Sequence, residues 1–92
     1  MALPKVNPSQ TAAWQQIQSH FEKMQTTSMK DLFVSDANRA EKFHIQWNDF
    51  LVDYSKNIVS QETLDLLLNL ANEVQLKQAI SSYFQGDIIN QT

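Results

Sequence analysis

A single glycine, Gly86, and two prolines, Pro4 and Pro8, leave this chain almost no backbone punctuation between its eighth and eighty-sixth residues. Every reversal of direction in that stretch falls to Asn, Asp, Ser and Thr, so the chain is committed to regular segments joined by short polar connections. One glycine also excludes a Gly-x-Gly-x-x-Gly dinucleotide loop, a phosphate-binding Gly-x-x-x-x-Gly-Lys loop and a nucleophile elbow. At 92 residues the chain is one small domain at most, short of the roughly 100 to 200 residues usual for a domain, and a complete enzyme is not expected. Hydrophobic residues at 42% and charged residues at 18% make it too apolar for disorder. A chain of this size buries only about 60 to 65% of its unfolded surface, so nearly every apolar side chain has to find cover.

The absence of cysteine removes disulfide scaffolds, thiolate zinc sites, iron–sulfur clusters and cysteine nucleophiles. The segment from Met1 to Pro8 has no apolar core of the signal-peptide kind, and runs such as Leu66-Leu67-Leu68 are far below the ~18 residues of a membrane span. Both features predict a cytoplasmic protein with no membrane partner. Seven Lys and Arg against ten Asp and Glu give a net charge of −3, and the cations are scattered singly from Lys5 to Lys77, so no nucleic-acid partner is expected.

Asn7-Pro8-Ser9-Gln10 reads as an N-cap, a proline in the first turn and a glutamine three residues after the cap. The helix it predicts carries Ala13, Trp14, Ile17, Phe21 and Met24 at 3.6-residue spacing, opposite Gln15, Gln16, Gln18, Ser19 and Lys23. After Thr26-Thr27, Ser28 is placed to cap a short helix with Asp31 at its third position, and Ser35 to cap another through Ala40.

The period then changes to two. Phe43, Ile45 and Trp47 alternate with His44 and Gln46, and Phe50, Val52 and Tyr54 follow Asn48-Asp49. A two-residue turn at Asn48-Asp49 opposes Trp47 to Phe50, Ile45 to Val52 and Phe43 to Tyr54, which puts every large residue on one face of a hairpin. Such a turn needs positive φ, which Asn and Asp tolerate though glycine favours it.

Ser60 is the expected cap of the next helix, with Glu62 and Asp65 near its positive end and a stripe of Leu64, Leu67, Leu68, Ala71 and Val74 that Leu66 and Leu70 extend. A last helix, from about Lys77 to Gln85, carries Ala79, Ile80, Tyr83 and Phe84 and ends at Gly86 in a left-handed conformation, with an extended tail from Asp87 to Thr92. The expected fold class is mostly α with one β-hairpin, an α+β segment. The leucine-rich helix and the lone hairpin both want more cover than the chain holds, so it reads as part of something longer, and alone it is expected to self-associate.

Chemistry is sparse. His20 and His44 have no nucleophile at triad spacing and read as structural, with His44 opposite Asp53 on the polar hairpin face. No His-x-x-x-His or Glu-x-x-His spacing points to a metal. Glu41, Glu62, Asp65 and Glu73 occupy polar helix positions and read as solvated charges. The sequon Asn90-Gln91-Thr92 reads as coincidence in a cytoplasmic chain.

Two stretches are more specific. Leu51-Val52-Asp53-Tyr54-Ser55-Lys56-Asn57-Ile58-Val59 resembles the hydrophobic, D-Y-S-K-N, hydrophobic segment near the N-terminus of the glucose-6-phosphate isomerase family. Phe84-Gln85-Gly86-Asp87-Ile88-Ile89-Asn90-Gln91-Thr92 looks like that family's F-x-G-x-x-I-N-x-T element, and Leu32-Phe33 and Phe43-His44-Ile45 are similar to its earlier regions in the same order. The resemblance covers roughly residues 8 to 92; Asn48-Asp49 is a shorter turn than in many members. It implies a parent α/β enzyme with two sugar-isomerase-type domains that interconverts glucose 6-phosphate and fructose 6-phosphate without a cofactor. The family's glutamate base, its histidine, lysine and arginine, and its phosphate-binding serines and threonines all lie beyond Thr92. The resemblance therefore implies no catalytic, cofactor-binding or metal residue in this segment. Residues 1–92 would form an N-terminal helical and hairpin extension that packs on the remainder of the isomerase chain and contributes to a homodimer, with the sugar phosphate bound only in the full enzyme. The alternative reading is a stand-alone helical interaction module working through Leu64 to Val74.

Overall fold

The first helix is entered through two caps in tandem. In the computed structural model, which describes residues 3–89, the Asn7 side chain accepts from the Ser9 amide and closes only a single 3₁₀ turn, Pro8–Gln10. Thr11 then caps helix α1, Ala12–Met24, its hydroxyl oxygen accepting from the Trp14 amide at 3.1 Å. The sequence reading merged these two starts. The proline tightens the first turn, and the helix proper begins at the next side-chain oxygen that meets a free amide.

Ser28 caps α2, Met29–Ser35, as its spacing to Asp31 predicts. Ser35 does not cap the next helix. It ends α2, and its hydroxyl donates back to the carbonyl oxygens of Asp31 and Leu32; the turn of α3, Arg39–Lys42, starts after Asn38. A serine at the end of a helix finds carbonyls behind it before it finds amides ahead.

Strands β1, His44–Trp47, and β2, Phe50–Asp53, pair antiparallel with Trp47 opposite Phe50, Ile45 opposite Val52 and His44 opposite Asp53. The expected register holds. Of the two central residues, at both of which a type I′ turn needs positive φ, Asn48 takes it, at +52°, and Asp49 does not. The pair Phe43 and Tyr54 continues the ladder beyond the strand ends through the Tyr54 amide to the Phe43 carbonyl, 3.0 Å, and their rings meet edge to face at 5.8 Å.

Helix α4, Gln61–Glu73, starts at Ser60 in a capping box whose second member is Thr63 in place of the usual acid. It lies antiparallel on α1. The Glu73 carboxylate at its C-terminal end accepts from the Ala13 amide, and Thr63 in its first turn meets His20. The row that faces α1 is thus Thr63, Leu66, Leu70 and Glu73, spaced three and four apart. Leu67 and Leu68, expected in the buried stripe, are exposed. Gln75 at φ +59° breaks the path between α4 and α5, Leu76–Gln85.

Helix α5 reverses a second expectation. Its buried residue is Ser82, while Ile80, Tyr83 and Phe84 are exposed. Gly86 ends it at φ +77° as predicted, and the Asp87 amide reaches the Ser82 carbonyl at 3.0 Å. A Cβ at Gly86 would meet nothing within 4 Å, so the cost of replacing it is conformational alone. Gly86→Val is expected to destabilise the end of α5 by about 1–2 kcal/mol, and Gly86→Asn by clearly less. Denaturant midpoints of the three proteins check this, and equal midpoints for glycine and valine would contradict it. The last residues of the expected tail, Asn90-Gln91-Thr92, with the sequon, lie outside the described residues.

These elements make a flat body of 48 × 36 × 18 Å with a radius of gyration of 16.7 Å. A compact chain of this length would have a radius of about 12 Å. The accessible surface, 7370 Å², exceeds the roughly 5,500 Å² expected of a compact monomer of this mass. Among the described residues the buried apolar side chains are Ala13 and Phe43, against five buried polar residues, Thr11, His20, Arg39, Ser55 and Ser82. The interior is polar and the apolar residues look outward, the inverse of a self-contained domain. No helix among the described residues is long and apolar enough to cross a membrane.

Candidate functional site

Three polar groupings sit where elements meet. The deepest is built on Arg39, at the start of α3 and only 2% exposed. Its Nε donates to the Ser55 carbonyl at 2.7 Å and its Nη2 to the Asn57 carbonyl at 2.6 Å. The guanidinium carbon lies 4.5 Å from the Phe43 ring centre and 5.7 Å from that of Phe33. The planar fork grips two successive turns of the loop after β2, and the ring faces take the place of a counter-ion.

That loop is the Asp53-Tyr54-Ser55-Lys56-Asn57 stretch singled out in the sequence. Each residue in it whose contacts are seen serves the fold. Asp53 Oδ1 accepts from the Ser55 amide at 2.9 Å, Tyr54 packs on Phe43, and Ser55 and Asn57 offer their carbonyls to Arg39. Arg39 was not among the residues the sequence singled out. A lone arginine in a four-residue helical turn carries no pattern that marks it as buried.

The second grouping joins α1 to the start of α4. His20 Nε2 and Thr63 Oγ1 are 2.5 Å apart, and His20 Nδ1 faces Glu62 Oε2 at 3.6 Å, with Lys23 Nζ 3.9 Å from the other Glu62 oxygen. Hydroxyl, imidazole and carboxylate therefore stand in the order of a catalytic triad, beside a cavity of about 170 Å³ lined by Ile17, Phe21, Met24 and Ile58. The geometry does not make a nucleophile. Thr63 Oγ1 already accepts from the Ser60 amide at 2.9 Å and lies 3.1 Å from the Ser60 hydroxyl, so its lone pairs belong to the helix cap. Nδ1 at 3.6 Å from the acid is beyond hydrogen-bond reach, and this buried atom has no hydrogen-bond partner. The cluster locks two helices together.

The remaining candidate acids are dispersed. Asp65 accepts from the Gln61 amide group at 3.0 Å, and Glu41 is exposed on α3. Glu73 is exposed, as a solvated charge should be, and also accepts from the Ala13 amide at the positive end of α1. His44 lies opposite Asp53 as expected, with its Nδ1 3.1 Å from the Ala40 carbonyl oxygen.

The third grouping is at the surface. Asp36 holds Lys42 Nζ at 2.8 Å and the Asn38 amide at 3.0 Å. The hydrogen bond from Lys42 is the main reason its carboxyl titrates below the ordinary 3.8, with the Asn38 amide adding to it. Asp53 is likewise lowered, first by hydrogen bonds from Ser55 and then by the charges of Lys56 and His44. A carboxylate whose folded pKa is lowered contributes stability that is present above its unfolded value and is lost as pH falls through the folded one. Stability is therefore expected to hold from neutrality to about pH 4 and to decline below it. Asp36→Asn and Asp53→Asn should each flatten that decline in denaturant midpoints measured from pH 5 to pH 2. An unchanged slope in both would refute the assignment.

Among the described residues the fold is a helical and hairpin piece in which buried polar side chains hold one stretch of backbone to another. The family model for phosphoglucose isomerase matches residues 53–92, from the Arg39-clasped loop to the end of the chain. Over 90 residues, 98% of its length, the chain is 50% identical to the glucose-6-phosphate isomerase of Christiangramia forsetii, and it spans 17% of that protein. By both matches the chain is similar to a segment of the phosphoglucose isomerases.

Proposed function

We propose that the chain is the N-terminal segment of a glucose-6-phosphate isomerase and that its own role is structural. The observation that carries this reading is identity of 50% across nearly the whole chain to a protein of which it spans 17%. The inverted burial supports it independently, because a body that buries Arg39 and Ser82 while exposing Trp47, Phe50, Leu68 and Phe84 is one that other parts of a protein cover. An independent interaction module is not favoured, since the match runs from end to end of the chain rather than over a recognition face.

In this reading the parent is a cofactor-independent aldose–ketose isomerase of the cytoplasm with two sugar-isomerase-type α/β domains. It interconverts glucose 6-phosphate and fructose 6-phosphate, and it works as a homodimer to whose assembly this segment contributes. The sugar phosphate is handled by residues of the remaining chain. A coupled dehydrogenase assay on the full-length protein tests the proposal: turnover of fructose 6-phosphate to glucose 6-phosphate supports it, and a pure, folded full-length protein without that activity overturns it.

A further inference from the structure

The hairpin has one face that is core at its root and bare at its tip. At the root, Phe43 is buried over Arg39 and Tyr54 is half-buried against it. Along the same face Ile45 and Val52 come next, and at the tip Trp47 and Phe50, stacked at 6.0 Å, are 68% and 67% exposed. The opposite face carries His44, Gln46, Leu51 and Asp53, two of them titratable. A two-stranded hairpin is marginal in water and persists only where its apolar face is covered.

Resting on the reading of the chain as part of a longer isomerase, we infer that the Ile45, Trp47, Phe50 and Val52 face is the surface on which the remainder of the same polypeptide docks. Two observations select that occupant over a second copy. The chain spans 17% of its relative, so most of the polypeptide is available to cover this face. And the face offers four side chains, which fall well short of the roughly 800 Å² per partner that a stable association between separate molecules requires. Docking within one chain needs no such area, because the tether supplies a high effective concentration and no translational freedom is lost. The covering surface is apolar and uncharged, with a slot for the stacked Trp47 and Phe50 rings, since no charged side chain stands on this face to be paired.

The test uses the full-length protein with a benzophenone amino acid in place of Trp47. On illumination, a crosslink that leaves the denatured protein at monomer mass and joins the hairpin to peptides beyond residue 92 is the expected result. A crosslinked band at dimer mass would assign the face to a second copy and overturn the inference. So would the absence of any crosslink, which marks position 47 as solvated. Amide exchange gives an independent reading. Trp47→Ser should speed exchange at Ile45 and Val52 by at least about 10-fold, while Gln46→Ser on the polar face stays within about 2-fold of the parent. Equal effects of the two would count against docking by this face. The isomerase assay on the same samples separates the two claims: an inactive unsubstituted protein fails the parent reading, and an active one with a solvated Trp47 fails the docking alone.

Discussion

Replacing Arg39 with alanine is expected to cost about 3–5 kcal/mol, the combined scale of two lost buried hydrogen bonds and a desolvated cation–π contact. Three losses act together. The Ser55 carbonyl, in a residue 2% exposed, is left without its donor, at about 1–3 kcal/mol for a buried unsatisfied group. The cation is withdrawn from the faces of Phe43 and Phe33, worth up to about 2 kcal/mol where water is excluded. The Asn57 carbonyl loses the second prong of the fork. Arg39→Lys should recover little, because an ammonium is a point charge and cannot present two donors in the plane of the two carbonyls. Urea denaturation followed by circular dichroism, with amide exchange across residues 53–59, provides the measurement. A lysine variant as stable as the parent would mean that charge alone matters, and an alanine variant as stable would remove the clasp from the account of the fold.

The larger effect in kinetic terms concerns the segment by itself. Residues 1–92 are expected to show no isomerase activity, since the positioning of base and substrate accounts for about 7–11 kcal/mol of such a barrier and nothing in the fold supplies it. The acids that would have to serve as base are occupied or dispersed. Glu73 holds the first turn of α1, Glu62 stands among His20 and Lys23, and Asp65 is held by Gln61. His20, which faces Glu62, has its Nε2 committed to Thr63. A coupled assay on rigorously purified segment decides the matter. Turnover that survives His20→Gln and Glu62→Gln together, and that follows the protein through two unrelated chromatographic steps, would refute the expectation.

How much of this could be read from residues alone follows the kind of interaction involved. The hairpin was legible to its register because alternation and a two-residue turn are local facts, and Asn48 can take the left-handed backbone that the turn imposes. Gly86 was legible for the same reason, as were the caps at Ser28 and Ser60. The start of α1 was not, because Asn7 and Thr11 both offer a capping oxygen and only the 3₁₀ turn between them decides which one opens the helix. Periodicity found the apolar stripes on α4 and α5 but could not say which stripe is inward. It assumes that a helix buries its most apolar side, and here Ser82 is buried while Phe84 is exposed. That assumption fails when the surface a helix was made to cover belongs to another part of a longer polypeptide. The Arg39 clasp lies beyond sequence reading for a different reason: it joins positions sixteen and eighteen residues apart through carbonyls, which every residue possesses.

The contact between Glu73 and Ala13 spans sixty residues of chain, and that separation sets a timetable for synthesis. A ribosome adds about 5–20 residues per second, so α1 is made roughly 3–12 seconds before the helix it rests on. In that interval the Ala13 amide and the His20 ring, which meet Glu73 and Thr63 of α4, have only water. The first helix of the chain is thus seated only once the fourth has been made, and until then its inward face stays open to water.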